Sequence, residues 1–322
     1  MNAQSRFTRR MNFMLLMGVL HGTLIWFGDI LARYAVTGYI LRRHIGRGPR
    51  ALLKAAKFWL CVVLVTTIVL AVVGGVTTGD DAAAPPPNET AQQDSESVFT
   101  TYTEAGYIDA TVQRATDFFS ISAMYILVLP QVMLFFLLGA IAAQLKWLRY
   151  PARYRMFWRR VFWFGLIVGL PISIAHAFSQ VGFAANPWVA TSMRKAMWEA
   201  MYASFAPVLA LAYVAAFALL QTNAPGATLI RLFAPAGRIA LTLYISESVL
   251  MMLLLNGFAL GFGATFGQFE LFVTATVIYA SLLGVAHLMQ RFEIPAPLEG
   301  FWRRYTNRTN STHETLTQHK NT

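Results

Sequence analysis

Long apolar runs separated by short basic or turn-forming gaps make up most of this chain. A bilayer core of about 30 Å takes roughly 20 helical residues at 1.5 Å rise each, so run length is the primary signal. Eight runs approach that length, at 11–27, 28–41, 55–76, 121–145, 161–178, 200–220, 239–262 and 269–288. The second is short, carries Arg33 and is separated from the first only by Gly28-Asp29, which reads as a tight reversal. The pattern predicts an all-α, polytopic transmembrane helix bundle of about eight spans.

Composition excludes the soluble alternative. Of 322 residues, 56% are apolar and 13% charged, and the mean hydropathy is +0.49, which leaves too little polar surface to cover a globule. The lipid bilayer is therefore the expected partner. The net charge of +11 implies no nucleic acid, because the positive residues sit beside apolar runs where anionic headgroups lie. Cys61 is the single cysteine, so no intrachain disulfide or thiolate metal site is expected, and no metal cluster is predicted at all.

Charge placement orients the chain. Twenty-two of the 26 Lys and Arg residues fall before the first run, between the second and third, and after the fourth, sixth and eighth. The positive-inside rule puts those segments, and both termini, in the cytosol. Only Arg33, Arg114, Arg194 and Lys195 lie elsewhere. Four segments follow: N-terminal helices over 1–76, an acidic extracytoplasmic loop over 77–120, further spans and a basic C-terminal segment over 121–305, and a disordered cytosolic tail over 306–322. The acidic loop holds eight carboxylates against the single base Arg114, and its Pro- and Ala-rich first half, through Gln92 to Ser95, is expected to be disordered. Residues 102–116 are expected to form a surface helix. The basic start and first apolar run lack a signal-peptide cleavage pattern, so that span is expected to be retained.

Ionisable residues at membrane depth are the candidates for chemistry, because each is expensive there without a partner or a function. His21 lies ten residues into the first run, near mid-membrane, either as a proton-handling group or as a neutral histidine bonding to a neighbouring helix. Asp29 is placed to cap the helix after the reversal. Arg33, four residues on, either pairs with it or flanks a polar pocket. Glu247 is the deepest carboxylate of the seventh run and shares a helical face with Tyr244 and Ser248, a polar stripe unsuited to lipid. Arg10 and Arg238 stand at the basic ends of their runs, as interfacial anchors or as anion ligands. His176, Glu199 and His287 read as interfacial. No Walker loop, strand-anchored GxGxxG, HExxH or CxxC pair is present.

Three stretches carry a family resemblance: HGTLIWFGDIL at 21–31 with YAVTG at 34–38, GRIALTLY at 237–244, and RFEIPAPLEGFWRRY at 291–305. Together they resemble the YeiB-like family of bacterial inner-membrane proteins, a domain-of-unknown-function family (418). The resemblance implies multi-pass residence in the bacterial cytoplasmic membrane, and two further N-terminal helices bearing an Asp-x-x-Arg-Gly motif. This chain opens where the third helix would begin. A looser resemblance links Arg10 and His21 to the Arg-x10-His spacing of the acyltransferase-3 family. That likeness implies acyl-CoA as donor, a lipid-linked or small-molecule acceptor, Arg10 at the donor phosphates and His21 as general base; on that mechanism Glu247 or Asp29 is expected to orient the acceptor, and Arg9 and Arg238 to join Arg10 at the nucleotide end. The alternatives are a proton-coupled transporter using His21 and Glu247, and a membrane subunit with no site of its own.

Overall fold

The computed structural model describes residues 3–77, 89–181 and 192–307, and the regular structure within them is helical. The described chain groups into two compact units. Of the described residues, one combines 3–45, 100–123 and 235–307; the other combines 46–77, 89–99, 124–181 and 192–234.

The first unit is built on an antiparallel helical hairpin, α1 (Ala3–Leu24) and α2 (Leu31–Leu41). Small residues let the two helices touch: a Cβ on Gly18 would meet the backbone of Ala32 and the Asp29 carboxylate, and one on Gly38 would meet Met11. At the open end Arg42 donates to Thr8 Oγ1 (3.1 Å) and Tyr39 to Asn12 Oδ1. The same unit holds α10 (Ala240–Leu255), α11 (Gln268–Arg291) and α12 (Pro297–Asn307). Helix α12 lies against both α1 and α10. Its start is set by the end of α11, where Ile294 N–H bonds to Met289 C=O and Glu293 N–H to Gln290 C=O. Glu293 takes φ +54° to make that cap, a conformation that favours glycine. Pro295 and Pro297 then prevent the helix from continuing, and Pro297 opens α12.

In the second unit α3 (Pro49–Thr77) runs along α8 (Ser192–Leu220), which also receives α6 (Arg155–Phe164) and α7 (Leu170–Val181). A five-residue π-helical segment, Gly165–Gly169, joins α6 to α7, and its two glycines press against Ala212 and Leu209 of α8. Three further helices each contribute to both units: α4 (Glu89–Glu104), α5 (Tyr107–Gln144) and α9 (Ala224–Arg238).

Among the described residues, five stretches are long and apolar enough to cross a membrane, Pro49–Val73, Tyr107–Gln144, Pro151–Phe178, Tyr202–Leu220 and Gln268–Arg291; the bent pair α9 and α10 makes six if it counts as one crossing. The most apolar window of the first is only 6% buried within the chain, so Phe58, Val65 and Ile68 face outward where lipid would be. The expected figure of about eight also counts the two hairpin helices, which fall below that threshold. Helix α1 begins with Arg6, Arg9 and Arg10, and α2 has only 11 residues, about 16 Å.

Three local expectations differ from the structure. Gln92 to Ser95 belong to α4, whereas 78–88 lie outside the described residues. The 102–116 stretch is no single surface helix: it breaks between α4 and α5, and Ala110 and Arg114 are buried. Thr306 is helical and buried at the end of α12, and 308–322 lie outside the described residues.

Candidate functional site

The closed end of the α1–α2 hairpin carries the most buried ionisable pair of the first unit. His21 sits in the last turn of α1, Asp29 just before α2, and they are 1% and 0% exposed. His21 Nδ1 lies 3.0 Å from Asp29 Oδ1, and Asp29 Oδ2 accepts the Ala32 backbone N–H at 2.8 Å. The carboxylate thus caps α2 with one oxygen and holds the imidazole with the other. A carboxylate only accepts, so Nδ1 is the donor of this bond, and in the neutral ring Nε2 carries the lone pair. That Nε2 is buried and has no hydrogen-bond partner.

Tyr244, from α10, completes the cluster. Its ring stands 4.9 Å from the His21 ring, and its hydroxyl is 3.4 Å from Asp29 Oδ1 and 3.5 Å from the Ile30 N–H, which donates to it. Helices α1, α2 and α10 therefore meet at one point through three polar side chains.

Arg33 does not pair with Asp29. The carboxylate lies ahead of the first turn of α2 and points back over it, so it cannot also reach down the helix; Arg33 Nε and Nη2 are buried without hydrogen-bond partners. Glu247 lies one turn beyond Tyr244 on α10 and is half-buried, but among the described residues no hydrogen bond or ion pair joins it to His21 or Asp29. The nearby Ser248 hydroxyl is spent on the Tyr244 carbonyl. In the second unit, His176 stacks on Tyr202 at 3.6 Å with Glu199 at 4.0 Å.

Arg10 and Arg238 meet at the other end of the hairpin. They line a cavity of about 500 Å³ with Arg6, Glu299, Trp302, Arg303 and Thr306. Arg10 lies over the Trp302 ring at 4.9 Å. Glu299 is 6% exposed and bonds with both oxygens to Thr242: Oε1 accepts its N–H at 3.0 Å and Oε2 its hydroxyl. Thr242 is in the first turn of α10, so the carboxylate also satisfies an open helix N-terminus. Eleven helical residues, about 16 Å, separate Arg10 from His21.

Arg6, Glu299, Trp302, Arg303 and Thr306 were not singled out from the sequence as cavity residues. The signal was present in the spacing: 299, 302, 303 and 306 fall on one helical face. Sequence reading also placed Arg114 in an exposed acidic loop. That guanidinium is 1% exposed and bonds to the Leu24 carbonyl (2.7 Å), Thr111 Oγ1 and Asn256 Oδ1, between the rings of Tyr107 and Phe258. It caps the carbonyl end of α1, three residues past His21. Its neighbour Tyr102, on α4, donates to Asp117 Oδ2 at 2.6 Å; burial first, and that hydrogen bond second, push its phenol pKa up. Among the described residues no group of His, Cys, Asp and Glu is set to hold a metal.

Apolar helices too exposed for water, with a buried His–Asp–Tyr cluster and a separate arginine-lined cavity, define a helical membrane protein with polar chemistry held inside. Residues 142–309, over half of the chain, match the family described as Protein of unknown function (DUF418), and the chain belongs to that family. It is also similar to the uncharacterized protein YxaH of Bacillus subtilis (strain 168), at 24% identity over 311 residues, 93% of this chain and 71% of that protein. No solved structure matches. The family match takes in Arg238, Tyr244, Glu247 and the α12 face of the cavity, whereas His21 and Asp29 lie ahead of it.

Proposed function

We propose that the protein is a membrane-embedded acyltransferase in which His21 is the general base, Asp29 its positioning partner, and the arginine cavity the seat of an acyl-CoA donor. The observation that carries this reading is the state of His21: Nδ1 is held by a buried carboxylate while Nε2 is left without a partner. That division fixes tautomer and ring orientation, as base catalysis requires. Nε2 takes the proton from an acceptor hydroxyl or amine as the acceptor atom bonds to the thioester carbonyl carbon. The tetrahedral intermediate then collapses, the C–S bond breaks, and the imidazolium returns its proton to the departing thiolate. Arg10 and Arg238 hold the donor's phosphates about a half-membrane away. In this reading the arginine-rich end faces the cytosol of a bacterial inner membrane, the acidic 77–120 segment faces outward, and Arg33 and Glu247 flank the acceptor's path.

A second reading is proton-coupled transport of a small solute, with His21 as the carried-proton site. The near-complete burial of both His21 and Asp29 favours it, since such a site must be shut between exposures. Proteoliposomes decide between them. Acyl-CoA consumption that His21→Ala abolishes supports transfer. Solute uptake driven by a pH gradient, with no acyl-CoA consumed, supports transport. Wild-type behaviour of His21→Ala and Asp29→Ala in both assays removes either role and leaves a purely structural cluster.

A further inference from the structure

We infer that the cavity between the first turns of α1 and the face of α12 is a binding site for a diphosphate-class anion. The inference rests on the reading of this cavity as the donor's seat and deepens it by naming the anion chemistry the lining takes, whatever the role of His21. At about 500 Å³ the cavity has ligand size, within the roughly 300–1,000 Å³ usual for small-molecule sites.

Its lining is unbalanced. Arg6, Arg10, Arg238 and Arg303 face a single carboxylate, Glu299, and both oxygens of that carboxylate are already engaged by Thr242. Three positive charges remain uncompensated, on forked donors whose geometry suits phosphoryl oxygens. A surplus of three exceeds the roughly two negative charges of one phosphoryl group and is matched by two linked ones. Two buried polar atoms in the same lining also lack partners: Thr306 Oγ1, in a side chain 8% exposed, and Trp302 Nε1. Neither atom is open to the cavity, so the arginine surplus carries the inference.

The phosphoryl chemistry has two possible sources, a soluble phosphate ester and the headgroup of an anionic lipid. Calorimetry on the purified full chain in neutral detergent, with inorganic pyrophosphate as probe and orthophosphate and sulfate as comparisons, tests the site. Saturable pyrophosphate binding is expected, with orthophosphate and sulfate weaker. Arg303→Gln and Arg6→Gln are each expected to weaken it about tenfold or more, the loss of a charge-assisted hydrogen bond. Arg303→Lys, which keeps the charge without the fork, falls between. Arg153→Gln, in the other unit, leaves binding unchanged, and so does His21→Ala, which separates failure of this site from failure of the catalytic reading. Repeating the titration in nanodiscs of phosphatidylcholine with and without cardiolipin, an anionic lipid with two linked phosphodiesters, identifies the source. Competition by the anionic lipid assigns the site to headgroups, and its absence assigns it to soluble ligands; either supports the inference. No saturable binding, or equal binding of sulfate and pyrophosphate that Arg303→Gln and Arg6→Gln leave intact, overturns it.

Discussion

Replacing Asp29 with alanine removes two short hydrogen bonds and the longer one from the Tyr244 hydroxyl, and the two short ones set the size of the loss. The Ala32 N–H loses its cap, worth about 1 kcal/mol for an exchange of this kind, within a range of roughly 0.5–2. His21 Nδ1–H is left buried without an acceptor, at a further ~1–3 kcal/mol. The sum, about 2–4 kcal/mol, stays at or below the ~3–5 expected for breaking a buried ion pair, because His21 is able to remain neutral. Asp29→Asn has one oxygen for the two donors the carboxylate serves, so it keeps the Ala32 cap, turns its NH2 toward His21 Nδ1, and is expected to fall between wild type and alanine. Reversible unfolding of the purified chain in mixed micelles measures both, and a double-mutant cycle with His21→Ala isolates the pair. A coupling of about 1–2 kcal/mol is expected, well above the ~0.3–0.5 scatter of independent sites. If Asp29→Ala behaves like wild type, or if the cycle is additive, the hairpin is not closed by this pair and the reasoning fails.

Gly18→Leu is expected to cost about 2–3 kcal/mol, because its side chain would enter space held by the Ala32 backbone and the Asp29 carboxylate; the same unfolding assay detects it, and Gly237→Ala, where a Cβ meets nothing within 4 Å, serves as the mild comparison. Arg114→Met leaves the Leu24 carbonyl and Asn256 Oδ1 without their donor and is expected to lose about 2 kcal/mol, whereas an exposed loop cation would lose nothing measurable. Because burial and Asp117 raise the Tyr102 phenol pKa in the folded chain, the unfolded state loses that proton first. The stability Tyr102 contributes is complete below its ordinary value of about 10 and is lost as pH rises beyond it, so an alkaline titration of Tyr102→Phe is expected to show a shallower decline than wild type. Glu293→Gly is expected to stabilise by about 1 kcal/mol by relieving the left-handed cap of α11; a loss of stability would mean that the side chain itself holds the turn.

Much of the site was legible one residue at a time. His21 and Asp29 stand out because ionisable groups in apolar runs are rare, and Gly28 marks the reversal between them. Tyr244 was found through its helical face. The same face suggested Glu247, and there the inference reached too far: sharing a face places two residues on one side of a helix but does not bring both to the same neighbour one turn along. The Asp29–Arg33 pairing assumed an intact helix through both positions, whereas α2 begins only at Leu31. Arg114 was read from the acidity of its surroundings in sequence, but it serves a carbonyl on α1 that lies 90 residues earlier.

The order of apolar runs and basic gaps was enough to determine the helical membrane class, because bilayer thickness and headgroup charge act on each segment separately. The union of α1, α2 and α10 at His21, Asp29 and Tyr244, and the gathering of arginines from α1, α9 and α12 around one cavity, were decided only by tertiary packing. Those contacts join residues up to about 300 positions apart, and no local periodicity encodes which helix lies beside which.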